Sequence, residues 1–126
     1  MKPVKEKAGI RGRQLVGQPA SQGIAMGKAR VIFHAEDLFA FQPGEILVCD
    51  AIEPNMTFVV PLAAGIVERR GGMLIHGAII AREYGLPCVT GVPEATVLIA
   101  TADLLTVDGY LGIVTIGKRT GRFRKL

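Results

Sequence analysis

The stretch Gly71–Gly91, GGMLIHGAIIAREYGLPCVTG, places a lone histidine, His76, between a glycine pair and an apolar helical pattern. From Gly77 the spacing of Ile79, Ile80, Glu83 and Tyr84 sets an apolar stripe along one side of a helix. That helix stops at Gly85, a natural residue after a helix end, with Pro87 close behind. LPCVTG then reads as a strand. A helix beginning at the histidine presents unsatisfied backbone N–H groups and a positive dipole end, which favour an anion and above all a phosphate. Gly71 and Gly72 allow unusual dihedrals and are read as a flexible entrance that exposes His76, although a plain strand-to-helix turn would use the same residues, and Gly77 is read as leaving room for an approaching donor. A neutral imidazole, with an unperturbed pKa of about 6.5, has a nucleophilic nitrogen near neutral pH and suits phosphoryl acceptance.

Outward from this stretch the chain alternates strand and helix signals. GIAMGKARVIFH, Gly23–His34, reads as a strand after a turn at GQPASQG, and PGEILVCD as a turn and a buried strand. EPNMTFVVPLA opens a short helix limited by Pro61. AAGIVERR is a strand leading to Gly71–Gly72, PEATVLI a short helix, and LLTVDG with LGIVTIG a hairpin around Asp108–Gly109. His34 is read as a surface residue in a loop. The fold class expected is α/β, in one domain with a β-rich edge.

At 126 residues, nearly half of them apolar and none Trp, the chain can bury an aliphatic core without metal or disulfide help. The longest apolar run, Phe58–Val67, contains a proline and falls short of the ~20 residues that span a bilayer. The N-terminus is basic without a signal-like apolar region. No membrane partner and a cytoplasmic location are therefore expected. Cys49 and Cys88 sit in apolar strand contexts that favour buried thiols, and the sequence lacks a Cys/His set for zinc.

The net charge of +4 divides unevenly. Residues 1–13 carry five Lys/Arg and one Glu, residues 118–126 five Lys/Arg and no acid, and residues 14–117 five basic and ten acidic side chains. The organisation expected is a basic tail over 1–13, one domain over 14–117 and a basic tail over 118–126. With a single aromatic, Phe123, among these charges, nucleic acid is not an expected partner.

The glycine pair, His76, AIIARE, GLP and TVDG, in this order and spacing, resemble the phosphohistidine swivelling domain. This is the mobile domain of phosphoenolpyruvate-utilizing enzymes such as phosphoenolpyruvate synthase, pyruvate phosphate dikinase, Enzyme I and rifampin phosphotransferase. The similarity extends through GQPASQGIAMGKARVI, PGEILVC and ATVLIATADLLTVDGYLGIV, over about residues 14–116. The resemblance implies a β/β/α swivelling fold, phosphorylated at the position of His76, usually on Nε2, and moving between two active sites. It implies an ATP-grasp nucleotide-binding partner, a phosphoenolpyruvate- or substrate-binding partner, or both. Mg²⁺ is expected in the partner sites and no cofactor on this domain.

The chain has no Walker-type loop and is too short for a TIM barrel of about 250 residues, so no complete active site is expected in it. It is expected to act in trans or as part of a larger assembly. Many relatives carry Ser, Thr or Cys directly before the histidine, and some have Thr two positions before it; here Ile75 and Leu74 stand there. Helical geometry points Arg82 well away from His76 and returns Glu83 to its side about 10 Å along the axis. Arg82 is read as making an ion pair or a fold-stabilising hydrogen bond, or as a contact for a partner domain, and Glu83 as structural. Two functions are open: a phosphoryl carrier modified at His76, or a non-catalytic regulatory or docking module that keeps the fold.

Overall fold

The apolar runs ILVC, GIVE and CVT become three neighbouring parallel strands, every residue of which is buried. Strands covered on both faces need continuous apolar sequence rather than alternation, which is what these runs supply. The computed structural model describes residues 13–72 and 75–117. The expected basic tails lie outside the described residues, except that Arg13 already opens the first strand.

The strands are β1 (Arg13–Val16), β2 (Gln18–Ser21), β3 (Ile24–Ile32), β4 (Ile46–Cys49), β5 (Gly65–Glu68), β6 (Cys88–Thr90), β7 (Leu104–Asp108) and β8 (Ile113–Gly117). They form an eight-stranded sheet in the order β1-β8-β7-β3-β4-β5-β6-β2. β3, β4, β5 and β6 pair in parallel, and the other neighbours are antiparallel. β3 joins the two halves: Ile24–Lys28 pairs with β7, and Ala29–Ile32 with β4. The first and last strands in this order, β1 and β2, are one stretch of chain interrupted at Gly17. The sheet therefore curls around until its ends meet.

This curl creates two cores. Val31, Ile46, Val48, Val67, Val89, Leu105, Val107 and Val114 pack inside it with Ala95 of α2 (Ala95–Leu98). Leu47, Cys49, Ile66 and Cys88 face outward, beneath α1 (His76–Tyr84) and a 3-10 helix, Pro54–Leu62. Each fully buried Leu or Ile contributes roughly 1.5–3 kcal/mol, so both layers matter to stability. The arrangement is the expected β/β/α fold, with one helix layer outside a curled sheet.

One local reading changes, and two gain detail. Gln18–Ser21, expected within a turn, is an edge strand that supplies β6 with its missing neighbour. The register shifts between Pro19 and Ser21, and a proline without an N–H is tolerated at such an edge. The short helix expected around Pro61 is a 3-10 helix, Pro54–Leu62, which ends one residue after that proline. His34 is, as expected, exposed in a loop; it precedes a 3-10 helix, Ala35–Ala40, whose entrance is fixed by Asp37 Oδ2 accepting from the Phe33 and His34 N–H groups. The hairpin turn is as read, with Asp108 Oδ1 accepting from the Tyr110 and Leu111 N–H groups.

Candidate functional site at the start of helix α1

His76 is the first residue of α1 and is exposed. Ile75 precedes it in extended conformation, and no side-chain hydrogen bond caps the helix. An apolar side chain has nothing with which to satisfy the first-turn donors, so this helix end keeps its affinity for an incoming anion. Gly85, in the left-handed region at φ 69°, ends the helix as the sequence indicates. Among the described residues no group of three His, Cys, Asp or Glu side chains is arranged to hold a metal ion.

As far as Gly72 the chain leading here is held by hydrogen bonds. After β5, the Arg69 and Arg70 N–H groups donate to the Cys49 and Asp50 carbonyls, while the Gly91 N–H donates to the Arg70 carbonyl. Arg69 also pairs with Asp50, whose carboxyl is held below the usual range by that guanidinium. Gly72 then adopts φ 128°, a region that disfavours any side chain, and its N–H donates to Gln18 Oε1 at 3.0 Å. The Gln18 side chain lies between Gly71 and Gly91. The glycine pair is thus anchored to β2 across a sequence separation of 54 residues. Leu74, the second departure from the family pattern, lies outside the described residues, as does Met73.

Gly77 has a different role from the one expected. It is buried, and a Cβ built there would overlap the carboxyl of Glu68. The missing side chain makes room for Glu68 from within the fold rather than for a donor from outside. Glu68 is fully buried at the end of β5, where strand alternation puts it on the same face as Ile66, beneath α1. Its Oε2 accepts from the Ile52 N–H at 2.6 Å, and its Oε1 has no hydrogen-bond partner among the described residues. Burial pushes its pKa up to about 7, against the opposing pull of the Ile52 bond. The Thr90 hydroxyl, on the same face of neighbouring β6, is likewise buried without a partner.

Arg82 turns away from His76, as helical geometry requires. Its Nε donates to the Ala20 carbonyl at 2.8 Å and ties α1 to β2, a bond that fits one of the readings open for it. It also lines an open surface cavity of about 640 Å³ with Pro19, Ser21, Gln22, Gly109 and Tyr110. Cys49 and Cys88 are buried free thiols on strands separated by β5. Two strand spacings, roughly 9–10 Å, exceed the Cα separation a disulfide permits.

The structure thus places Gly71, Gly72, Gly77 and His76 together and sets Arg82 apart. Two residues of the site were not singled out from sequence. Glu68 had a signal, an acid closing an otherwise apolar buried strand. Gln18 had none, because its contact is created only when β2 joins the sheet.

Residues 41–112, more than half of the chain, match the family described as PEP-utilising enzyme, mobile domain. The chain is 42% identical over 106 residues to the uncharacterized phosphotransferase YvkC of Bacillus subtilis, covering 84% of this chain and 13% of that protein. It is 43% identical over 103 residues to the phosphoenolpyruvate synthase of Pyrococcus furiosus, covering 82% of this chain and 13% of the relative. Among solved structures, an Enzyme I (nEIt) protein aligns with TM-score 0.56 and 26% identity over 70% of this chain and 38% of that one. The chain therefore spans about one eighth of the length of these two curated relatives. Motif, fold and sequence agree that this chain belongs to the PEP-utilising enzyme mobile domains.

Proposed function

We propose that this domain is a phosphoryl carrier, modified on His76 and passing the group between a phosphoenolpyruvate- or ATP-using site and an acceptor site. The observation that carries this reading is the exposed imidazole at the first position of α1, within the family's own motif. In the transfer, the Nε2 lone pair of neutral His76 attacks phosphorus. The P–N bond forms as the donor's P–O bond breaks, with the electron pair leaving on the donor oxygen. The helix end favours the transferred dianion, and Gln18 holds the entrance loop in place.

The two reacting sites belong to partner domains, an ATP-grasp unit and a phosphoenolpyruvate- or substrate-binding unit. Mg²⁺ belongs there as well, where it would neutralise charge on the transferred group. A carrier divides one difficult exchange into two steps, each in its own site, and must swivel between them.

The test is incubation of the purified chain with labelled phosphoenolpyruvate or ATP and lysate of its host, beside His76→Ala. Acid-labile, alkali-stable label on the wild type alone is the expected result. Label on neither protein, with a phosphorylated positive control in the same lysate, would overturn the carrier role in favour of a docking module.

A further inference from the structure

The transfer chemistry leaves one buried titratable group of this site unused. Glu68 is fully buried, its carboxyl is seated against Gly77, and Gly77 directly follows His76. One carboxyl oxygen is bonded to the Ile52 N–H and the other has no partner among the described residues. Fully buried carboxylates are ordinarily paired, so a half-satisfied one beneath a helix end that receives an anion calls for an explanation.

Two negative charges then compete for one helix end. An ionised Glu68 is stabilised by the first turn of α1, and so is a phosphoryl group on His76. We propose that Glu68 is a proton-linked positioning residue of the carrier: its carboxylate gains proton occupancy from solvent as the P–N bond forms and loses it as that bond breaks. This rests on the carrier reading and adds to it a partner for the phosphoryl charge inside the domain. Glu68 touches neither phosphorus nor the imidazole in this role; it acts through the first turn of α1.

The surroundings leave Glu68 as the group that responds. Cys49 on β4 and Cys88 on β6 share its face, and burial pushes both thiols up, so they stay neutral. Asp50, after β4, is held ionised by Arg69, and Arg70, after β5, opposes it from the other sign. Glu53, at the start of the neighbouring 3-10 helix, is exposed to solvent. On α1, Arg82, Glu83 and Tyr84 are exposed, and the exposed His76 directly precedes the Gly77 against which the carboxyl is seated. Against this constant background, a dianion roughly 10 Å away on the solvent-exposed His76 raises the carboxyl's midpoint by about one pH unit at an effective dielectric of about 50, between that of the protein interior and that of water. Linkage is reciprocal, so protonation of Glu68 favours the phosphorylated state by about tenfold.

The experiment uses the full chain labelled with ¹³C-glutamate and phosphorylated chemically by phosphoramidate, which requires no partner protein. The Glu68 carboxyl signal, assigned through its own backbone, is titrated before and after ³¹P signals report an N–P bond at His76. A midpoint near 7 that moves up by about one unit supports the proposal. A midpoint unchanged by phosphorylation overturns it and leaves the carrier reading intact. If neither phosphoramidate nor host lysate modifies His76, the carrier reading fails and this proposal with it. In a pH series of the phosphorylation equilibrium, Glu68→Gln is expected to lose the tenfold Glu68 contribution between about pH 6 and 9. An identical profile in the variant would also overturn the proposal; should the variant not fold, the wild-type titration decides.

Discussion

The carboxyl of Glu68 lies directly against the Cα of Gly77, filling the space where any other residue at that position would carry its side chain. A buried acid at the end of β5 and the second residue of α1 are therefore one structural unit. The helix that begins with His76 is seated on it.

Gly77→Ala tests this seat. Alanine is the better helix former by about 1 kcal/mol, which alone would stabilise α1. The overlap with a buried, hydrogen-bonded carboxyl costs more, about 1–3 kcal/mol or above, and wins. Net destabilisation of about 2 kcal/mol is expected by denaturant unfolding. In a Glu68→Ala background the same substitution should cost far less, and equal costs in both backgrounds would show that the two residues are not coupled.

Glu68 also sets a pH dependence of stability. Its pKa is about 7 in the fold against an ordinary 4.5, so between these values the folded protein keeps a proton that the unfolded chain releases. The stability this contributes is complete below about pH 4.5 and lost as pH rises to about 7, a change of about 3 kcal/mol. Glu68→Gln, which cannot ionise, should lack this decline when unfolding is measured across the same range. Parallel curves for the two proteins would assign the decline to other groups.

Ile75→Ser restores the hydroxyl that many relatives place before the histidine. Serine as a helix cap gains about 1 kcal/mol, while losing the half-buried Ile75, which packs against the outer core, costs about 1–2 kcal/mol. Stability should change by about 1 kcal/mol or less, while phosphorylation of His76 becomes faster. Single-turnover labelling separates the two effects, and an unaltered rate would mean that the hydroxyl has no part in transfer here.

Gln18→Ala removes the acceptor for the Gly72 N–H. Loss of one such bond at the surface costs about 0.5–1.5 kcal/mol. Amide exchange at Gly72 should quicken by roughly fivefold for a cost near 1 kcal/mol, without a matching change in the central strands. Uniform acceleration throughout the sheet would instead identify Gln18 as a general stabiliser of β2.

Much of this molecule was legible in local patterns, because those patterns report contacts made within a few residues. The apolar runs around Ile46, Ile66 and Val89 announced buried strands, and Gly85 with Pro87 fixed the end of α1. His76 could be placed at that helix's beginning since glycine pair, histidine and apolar stripe are contiguous. Strand β2 was hidden: its sequence carries turn residues, and its conformation follows from the open edge of β6.

The sequence by itself determined the strand-and-helix order, the position of His76 and the family motif around it. Only the tertiary structure decided what supports that histidine. Gln18 meets Gly72 and Glu68 meets Gly77 because the curled sheet brings together segments distant along the chain. Glu68's raised pKa arises in the same way: it is a property of burial, which exists only after the strands and helix have closed over the carboxyl.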